Sequence, residues 1–160
     1  MQIRPAITAD AAAIWSIIEP VIRAGETLTL DRDMREADAL AYWIGADKEA
    51  FVAEDGGAIL GTYYLRANQT GGGAHVANAG YVTGAAATGR GVARAMGLHS
   101  IDHAKARGFR AMQFNFVVSA NVRAVGLWQS LGFEVVGRLP GAFDHPAEGF
   151  VDALVMFRSL

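Results

Sequence analysis

The sequence predicts an α+β domain, a mixed α/β arrangement in which a twisted, mostly antiparallel sheet carries helices on both faces. Three observations predict it. Apolar residues alternate with polar ones in short runs, clearest in Met112-Gln113-Phe114-Asn115-Phe116, the period of a strand. Ile14, Ile17, Ile18, Val21 and Ile22 recur at helical spacing, the stripe of a helix with one buried side. Asp55-Gly56-Gly57 joins two strand-like runs, which makes that pair an antiparallel hairpin.

The elements follow in order along the chain. Gln2 to Pro5 reads as a first strand, and Thr8 or Asp10 caps a helix running from Asp10 to Ala24. Pro20 should kink or divide that helix, because it lacks an N–H and crowds the preceding turn. A loop from Gly25 to Asp33 leads to a second helix at Arg35 to Ile44, then to hairpin strands at Ala50 to Glu54 and Ile59 to Ala67. Val76 to Val82 is a strand, and a long helix follows to about Arg107, with Ala93, Met96, Gly97, Ile101 and Ala104 on one stripe and Gly108 as its stop. Met112 to Val118 is a strand, Asn121 to Leu131 a helix and Glu134 to Gly137 a strand. A loop then carries Phe143, Asp144 and His145, before a last strand from Val151 to Phe157. No boundary divides the 160 residues, so one domain is expected.

Composition excludes several classes. Charged residues make up 19% of the chain and hydrophobic ones 52%, with a formal net charge of −2 and no block of like charges. That describes a globular chain rather than a disordered one, and not a nucleic-acid-binding surface. Cysteine is absent, so neither disulfides nor thiol catalysis is available, which suits a reducing cytoplasm. No signal-like segment opens the chain. No apolar run reaches the roughly 18 residues of a membrane span.

The stretch Gly80-Tyr81-Val82-Thr83-Gly84-Ala85-Ala86-Ala87-Thr88-Gly89-Arg90-Gly91-Val92-Ala93 carries the most chemistry. It reads as a strand, a loop of small residues and a helix start. Unpaired N–H groups and the positive dipole end meet there, and residues with little side chain let an anion reach them. The same letters also describe a glycine-rich helix cap. A P-loop would end in Gly-Lys-Ser/Thr, which is missing, and the glycine spacing is too short for a dinucleotide fingerprint.

The segment resembles the acyl-CoA pyrophosphate loop of the GNAT superfamily of N-acetyltransferases, whose pattern is Gln/Arg-x-x-Gly-x-Gly/Ala. Gly89, Arg90 and Gly91 fall inside it, although Ala86, Ala87 and Thr88 stand where a leading Gln or Arg is usual. Asn121-x-x-Ala124-x-x-Leu127-Trp128-x-x-Leu131-Gly132-Phe133 resembles the second signature of the same family, and Ile3 to Ile14 its opening strand and helix. The resemblance implies a single domain that uses acetyl-CoA as co-substrate. Pyrophosphate would rest on Thr88, Gly89, Arg90, Gly91, Val92, Ala93 and Arg94. The thioester carbonyl would lie at the N–H of Tyr81 or Val82, and the pantetheine arm along Asn121 and Trp128. Many relatives have a tyrosine where Trp128 stands, and an indole N–H is no substitute acid.

Asn78, Asn115, Asn121 and the segment from Gly137 to Phe143 are similar to the branch that holds azetidine-carboxylate acetyltransferases, which implies a small-molecule amine acceptor met by Asn78, Asn115 and Phe143. Candidates for catalytic work are Asn115, Glu26 and His75, with Asp31, Glu54, Asp144 and His145 as further proton acceptors. His99 and His103 stand four apart on one helix, but no third metal ligand is evident, and no metal is expected. Two other readings stay open: acetylation of protein termini or lysines, and a non-catalytic acyl-CoA sensor. No nucleic-acid or membrane partner is expected, and a homodimer is compatible with the chain.

Overall fold

The computed structural model describes residues 1–160. Seven strands form one sheet in the order β1-β2-β3-β4-β5-β7-β6. They are β1 (Gln2–Pro5), β2 (Glu49–Asp55), β3 (Ala58–Ala67), β4 (Val76–Thr83), β5 (Ala111–Val118), β6 (Glu134–His145) and β7 (Gly149–Ser159). The helices are α1 (Ala11–Ala24), α2 (Glu36–Trp43), α3 (Val92–Ala106) and α4 (Val122–Ser130). Every strand pair is antiparallel except β4 with β5.

Alternation along the strands builds a core on each face. Val52, Tyr64 and Val82 pack with Ile14, Ile18 and Ile22 of α1 and Trp43 of α2. Their neighbours Phe51, Ala53, Tyr63 and Leu65 pack on the opposite face with Met96 and Ile101 of α3 and Trp128 of α4. This is the period-two signature of a sheet covered on both sides. The β2–β3 hairpin turns at Gly56 and Gly57, both at positive φ (57° and 83°), as a primed two-residue turn requires.

Three expectations are corrected. Pro20 does not divide the first helix, which continues through it to Ala24, where four isoleucines hold it against the sheet. The segment Arg138 to His145 is strand rather than loop, paired with β7. Pro140 and Gly141 obscured it, but β6 lies at the sheet edge, where a missing donor costs little. The alternation in β5 breaks between Phe114 and Val117, where the register with β7 shifts. Val117 is therefore buried and does not share a face with Gln113 and Asn115.

The only parallel pairing ends almost as it begins. Val76 pairs with Ala111 and Ala77 with Met112, and beyond them β4 and β5 part. Asn78 sits at the crotch, and its Nδ2 donates to the Gln113 carbonyl at 3.0 Å. A continuing parallel ladder would have offered that carbonyl to the N–H of Ala79.

Candidate active site

The fork between β4 and β5 opens into a cleft of about 300 Å³ that is lined from both faces of the sheet. On the α1/α2 face stand Tyr42, Tyr64, Arg66 and the loop Thr27 to Leu30, and on the α3/α4 face stand Tyr81, Phe114, Ala124 and Trp128. Asn78, Asn115 and Asn121 also line it.

The pairing of β3 with β4 decides which backbone groups of β4 point into the cleft. Val82 lies opposite Thr62, Gly80 opposite Tyr64 and Asn78 opposite Arg66. At the two ends of this register, Gly84 N–H donates to Leu60 and Asn68 N–H to Val76. Even-numbered residues of β4 thus spend their N–H and C=O on β3, and odd-numbered ones face the opposite edge. Past Ala77 that edge has no partner strand. The N–H groups of Ala79 and Tyr81 therefore face the cleft, whereas the N–H of Val82 is turned toward β3. Gly80 leaves room for the Tyr64 ring, which would lie 2.7 Å from a β-carbon there.

Side chains fix the walls. Trp128 is 7% exposed and packs against Tyr81 and Phe114, with ring centroids at 4.7 and 4.9 Å. Gly97 of α3 lets α4 approach, since a β-carbon there would meet Leu131 at 2.7 Å and Trp128 at 3.2 Å. Tyr81 shares a hydrogen bond with Ser100 at 2.7 Å, and burial pushes its phenol above the usual tyrosine range. Asn121 caps α4 by accepting from Ala124 N–H at 3.3 Å, and it lines the cleft as well. Capping and cleft lining coincide in this one residue.

The loop after β4 leaves a run of free donors. Thr88 N–H donates to Ala85 and Arg90 N–H to Ala87. Gly89, Gly91, Val92, Ala93 and Arg94 have no backbone acceptor for theirs. Gly89 and Gly91 sit at positive φ (81° and 78°), and nothing stands within 4 Å of where their β-carbons would be. The result is an open nest at the start of a fifteen-residue helix, an arrangement suited to phosphate oxygens. Arg90 is tied to Asp55 at 3.2 Å and Arg94 to Ser130 at 3.0 Å.

Several expected residues stand elsewhere. His75 is exposed at the start of β4 and does not line the cleft; its carbonyl receives Arg110 N–H. Glu26 is exposed beside the cleft loop, one residue before Thr27, and is not part of the lining. Phe143 is buried on β6, where it packs against the cleft residue Phe116 at 6.2 Å; it stands behind the wall and is not on it. Asn115 is exposed on β5. Its Oδ1 accepts from Gln113, and its Nδ2 donates to Asn68 at 2.6 Å. Glu54 is spent on Arg4. His99 accepts or donates at Tyr63 (2.6 Å) and His103 at Glu49 (2.9 Å), so both imidazoles have protein partners. Burial, then the nearby His103, lowers the pKa of His99. Sequence reasoning missed Tyr42, Tyr64 and Arg66; the signal was there in Arg66, a lone cation in the apolar run Tyr63-Tyr64-Leu65.

A family model described as the acetyltransferase (GNAT) family matches residues 13–133. The chain belongs to this family. A GCN5-related N-acetyltransferase from Kribbella flavida is 45% identical, with a TM-score of 0.95 over 99% of this chain and 97% of that one. The yncA protein of Salmonella typhimurium, solved with its cofactor acetyl-CoA, is 25% identical, with a TM-score of 0.87 over 100% of this chain and 94% of that one. Among curated proteins, N-acetyltransferase aca1 of Schizosaccharomyces pombe is 30% identical over 104 residues, which is 61% of this chain and 47% of that protein. The chain thus spans about half the length of this curated relative. The GNAT sheet, parted between β4 and β5, frames this cleft, and α2, α4 and the Thr27–Leu30 loop complete its walls.

Proposed function

We propose that this GNAT protein moves the acetyl group of acetyl-CoA to the nitrogen of a small amine by direct attack. The observation that carries the reading is the fork: one cleft joins both faces of the sheet, with the N–H groups of Ala79 and Tyr81 directed into it. Acetyl-CoA on the α3/α4 side would rest its pyrophosphate on the donors of Gly89, Gly91, Val92, Ala93 and Arg94. Trp128, Ala124 and Asn121 would flank the arm. The amine would enter from the side of Tyr42, Tyr64 and the Thr27–Leu30 loop. The binding of acetyl-CoA by the yncA protein and the N-acetyltransferase activity of aca1 support this assignment.

The chemistry needs few groups. The amine nitrogen bonds to the thioester carbon, the C–S bond breaks, and the thiolate leaves with CoA. Tyr81 N–H would receive the developing oxyanion, a fixed donor that costs no reorganisation. With no cysteine to hold an acyl group, two bound substrates in one cleft supply the acceleration by proximity. Trp128 offers no usable proton, so the thiolate takes its proton from the ammonium formed in the attack or from water. Among the acceptors for the incoming amine's proton, we favour Glu26 over His75, because only Glu26 borders the cleft loop. Asn78, Asn115 and Asn121 support an acceptor of the small cyclic or amino-acid-like kind.

The test is turnover of acetyl-CoA with a panel of small primary and secondary amines, amino acids and peptides, read as thiol release and confirmed by product mass. Acetylation of small amines is expected. Turnover with peptides alone would make the protein a polypeptide acetyltransferase. Tight acetyl-CoA binding without turnover on any acceptor would leave a sensor.

A further inference from the structure

The acceptor side of the fork carries the wrong charge for a cation. Twenty residues line the cleft, and none is Asp, Glu or His; Arg66 is the only charged one. Glu26 and Asp31 flank the Thr27–Leu30 loop, but both are exposed and neither reaches the lining. Arg66 lies opposite Asn78 in the β3–β4 register, and its Nε is buried with no acceptor. Its one ion-pair contact is loose, Nη1 to Asp47 at 3.8 Å.

Asp47 is already engaged, since Lys48 Nζ donates to both of its carboxylate oxygens at 3.0 Å. The Lys48 side chain is 4% exposed, and its ammonium lies 4.6 and 5.6 Å from the ring centres of Tyr42 and Tyr64. The Arg66 guanidinium lies 6.0 Å from the Tyr64 ring centre. Asp47, Lys48 and Arg66 together hold one uncompensated positive charge beside the two tyrosines. Aromatic faces that would draw an incoming ammonium already carry the protein's own cations. The phenols supply no base either. Tyr42 and Tyr64 share a hydrogen bond at 3.2 Å, and burial, reinforced by that contact, pushes the Tyr64 hydroxyl above the usual tyrosine range. The Tyr81 hydroxyl is bonded to Ser100. A like charge disfavours the charged form of whatever titrates beside it.

We propose that the acceptor occupies the cleft as a neutral amine, held neutral by the positive charge of Arg66 and Lys48. Weakly basic amines, such as arylamines and hydrazines, are then preferred over alkylammonium ions. An ammonium gives up its proton at the mouth, to solvent or to Glu26 on the rim. Inside, the proton count closes with no base or acid from the wall. The nitrogen lone pair forms the C–N bond, the C–S bond breaks, and the surplus proton on nitrogen passes to the thiolate. A lining without a carboxylate and an indole at Trp128 that cannot donate both fit this one proton path. The inference rests on the proposed acetyl transfer to a small amine.

The experiment is calorimetry of ethylamine and trifluoroethylamine, two amines of similar size and very different basicity. The protein is loaded with S-ethyl-CoA, a thioether that cannot transfer, and buffers of different ionisation enthalpy count the protons released. Near pH 7 ethylamine should shed about one proton on binding and trifluoroethylamine almost none. Trifluoroethylamine should bind at least about a hundredfold more tightly there, and the gap should close about tenfold per pH unit up to about pH 9, as neutral ethylamine becomes more abundant. Arg66→Gln, which removes the surplus charge, should cut proton release by ethylamine to less than about half. Ethylamine bound to the parent with its proton retained overturns the proposal, and so does a folded Arg66→Gln protein that still releases the whole proton. If that variant does not fold, the parent's proton count and pH dependence decide alone. Turnover of small amines without proton release would sink neutral entry and leave acetyl transfer standing. Proton release without turnover of any amine would do the reverse, and binding of neither amine would overturn both.

Discussion

The side-chain amide of Asn78 donates to the backbone carbonyl of Gln113 at 3.0 Å, across the point where β4 and β5 separate. That bond closes the inner end of the fork. It takes up the first carbonyl of β5 that a continuing parallel ladder would have used, and so lets the backbone beyond it stay open. Asn78 is 6% exposed, so its hydrogen bond is hard to replace with water. Asn78→Asp would set a carboxylate against the Gln113 carbonyl, with two acceptors and no donor. We expect a loss of at least about 1–3 kcal/mol in urea unfolding, together with a fall in acetyl transfer. Unchanged stability in Asn78→Asp would show that the crotch is held by other contacts.

The donor nest predicts the behaviour of Gly91. Gly91→Glu would place an anion among free N–H groups reserved for phosphate, and the acetyl-CoA dissociation constant should rise by about tenfold or more, roughly 1.4 kcal/mol. Because Gly91 lies at φ 78°, Gly91→Asn serves as the control, since asparagine tolerates positive φ better than other side chains. It should bind acetyl-CoA more tightly than Gly91→Glu. Equal calorimetric affinity for parent and Gly91→Glu would remove the pyrophosphate from this loop.

Trp128 is both wall and core. Trp128→Phe keeps an aromatic ring against Tyr81 and Phe114 and should retain most of kcat. Trp128→Ala should cost about 3–5 kcal/mol of stability, as large aromatic truncations in cores do. A fall of several orders of magnitude in kcat for Trp128→Phe, with acetyl-CoA binding intact, would assign the indole a chemical role that its lack of acidity argues against.

Acid sensitivity should track Asp10. Arg4 contacts it at 2.7 Å, Ile7 N–H donates to it at 2.8 Å, and its side chain is 8% exposed. The Arg4 guanidinium, reinforced by Ile7 N–H, holds its carboxyl below the usual aspartate range. A carboxylate with a depressed pKa in the folded state contributes stability above its unfolded value of about 4 and loses it as pH falls through the folded value. Asp10→Asn should therefore lower the urea midpoint at pH 7 and lower it less at pH 3. An equal loss at both values would mean that the ion pair is not what ties β1 to α1.

Local features were readable because their causes are local. Gly56 and Gly57 demand a primed turn wherever they stand, and Gly89 and Gly91 open a loop to an anion whatever packs around them. Gly108 ended α3 as expected, at φ 85°. The stripe from Ile14 to Ile22 placed α1, and it also overrode Pro20, whose lost hydrogen bond is small beside the burial of four isoleucines. Asn121 and Trp128 were chosen from the second motif and Asn78 from the likeness to azetidine-carboxylate acetyltransferases, and the cleft is lined by all three. The same reading sent His75 to the site because it is near Asn78 in the chain. Three residues of strand carry it about 10 Å away.

What the sequence alone determined was the mixed sheet with helices on both faces and the donor loop, since both follow from periodicity and turn chemistry within short windows; the GNAT fold was implied by the resemblance of its two motifs to that family. Only the tertiary structure decided which groups face one another across the fork. Strand register settled that Tyr81, and not Val82, turns its N–H to the cleft, because pairing with β3 uses up alternate residues. A bulge in β5 separated Val117 from Asn115. Arg66 reached the acceptor side through a strand pairing with β4 that no local pattern encodes, since its position and its unpaired Nε depend on neighbours up to twenty residues away in the chain.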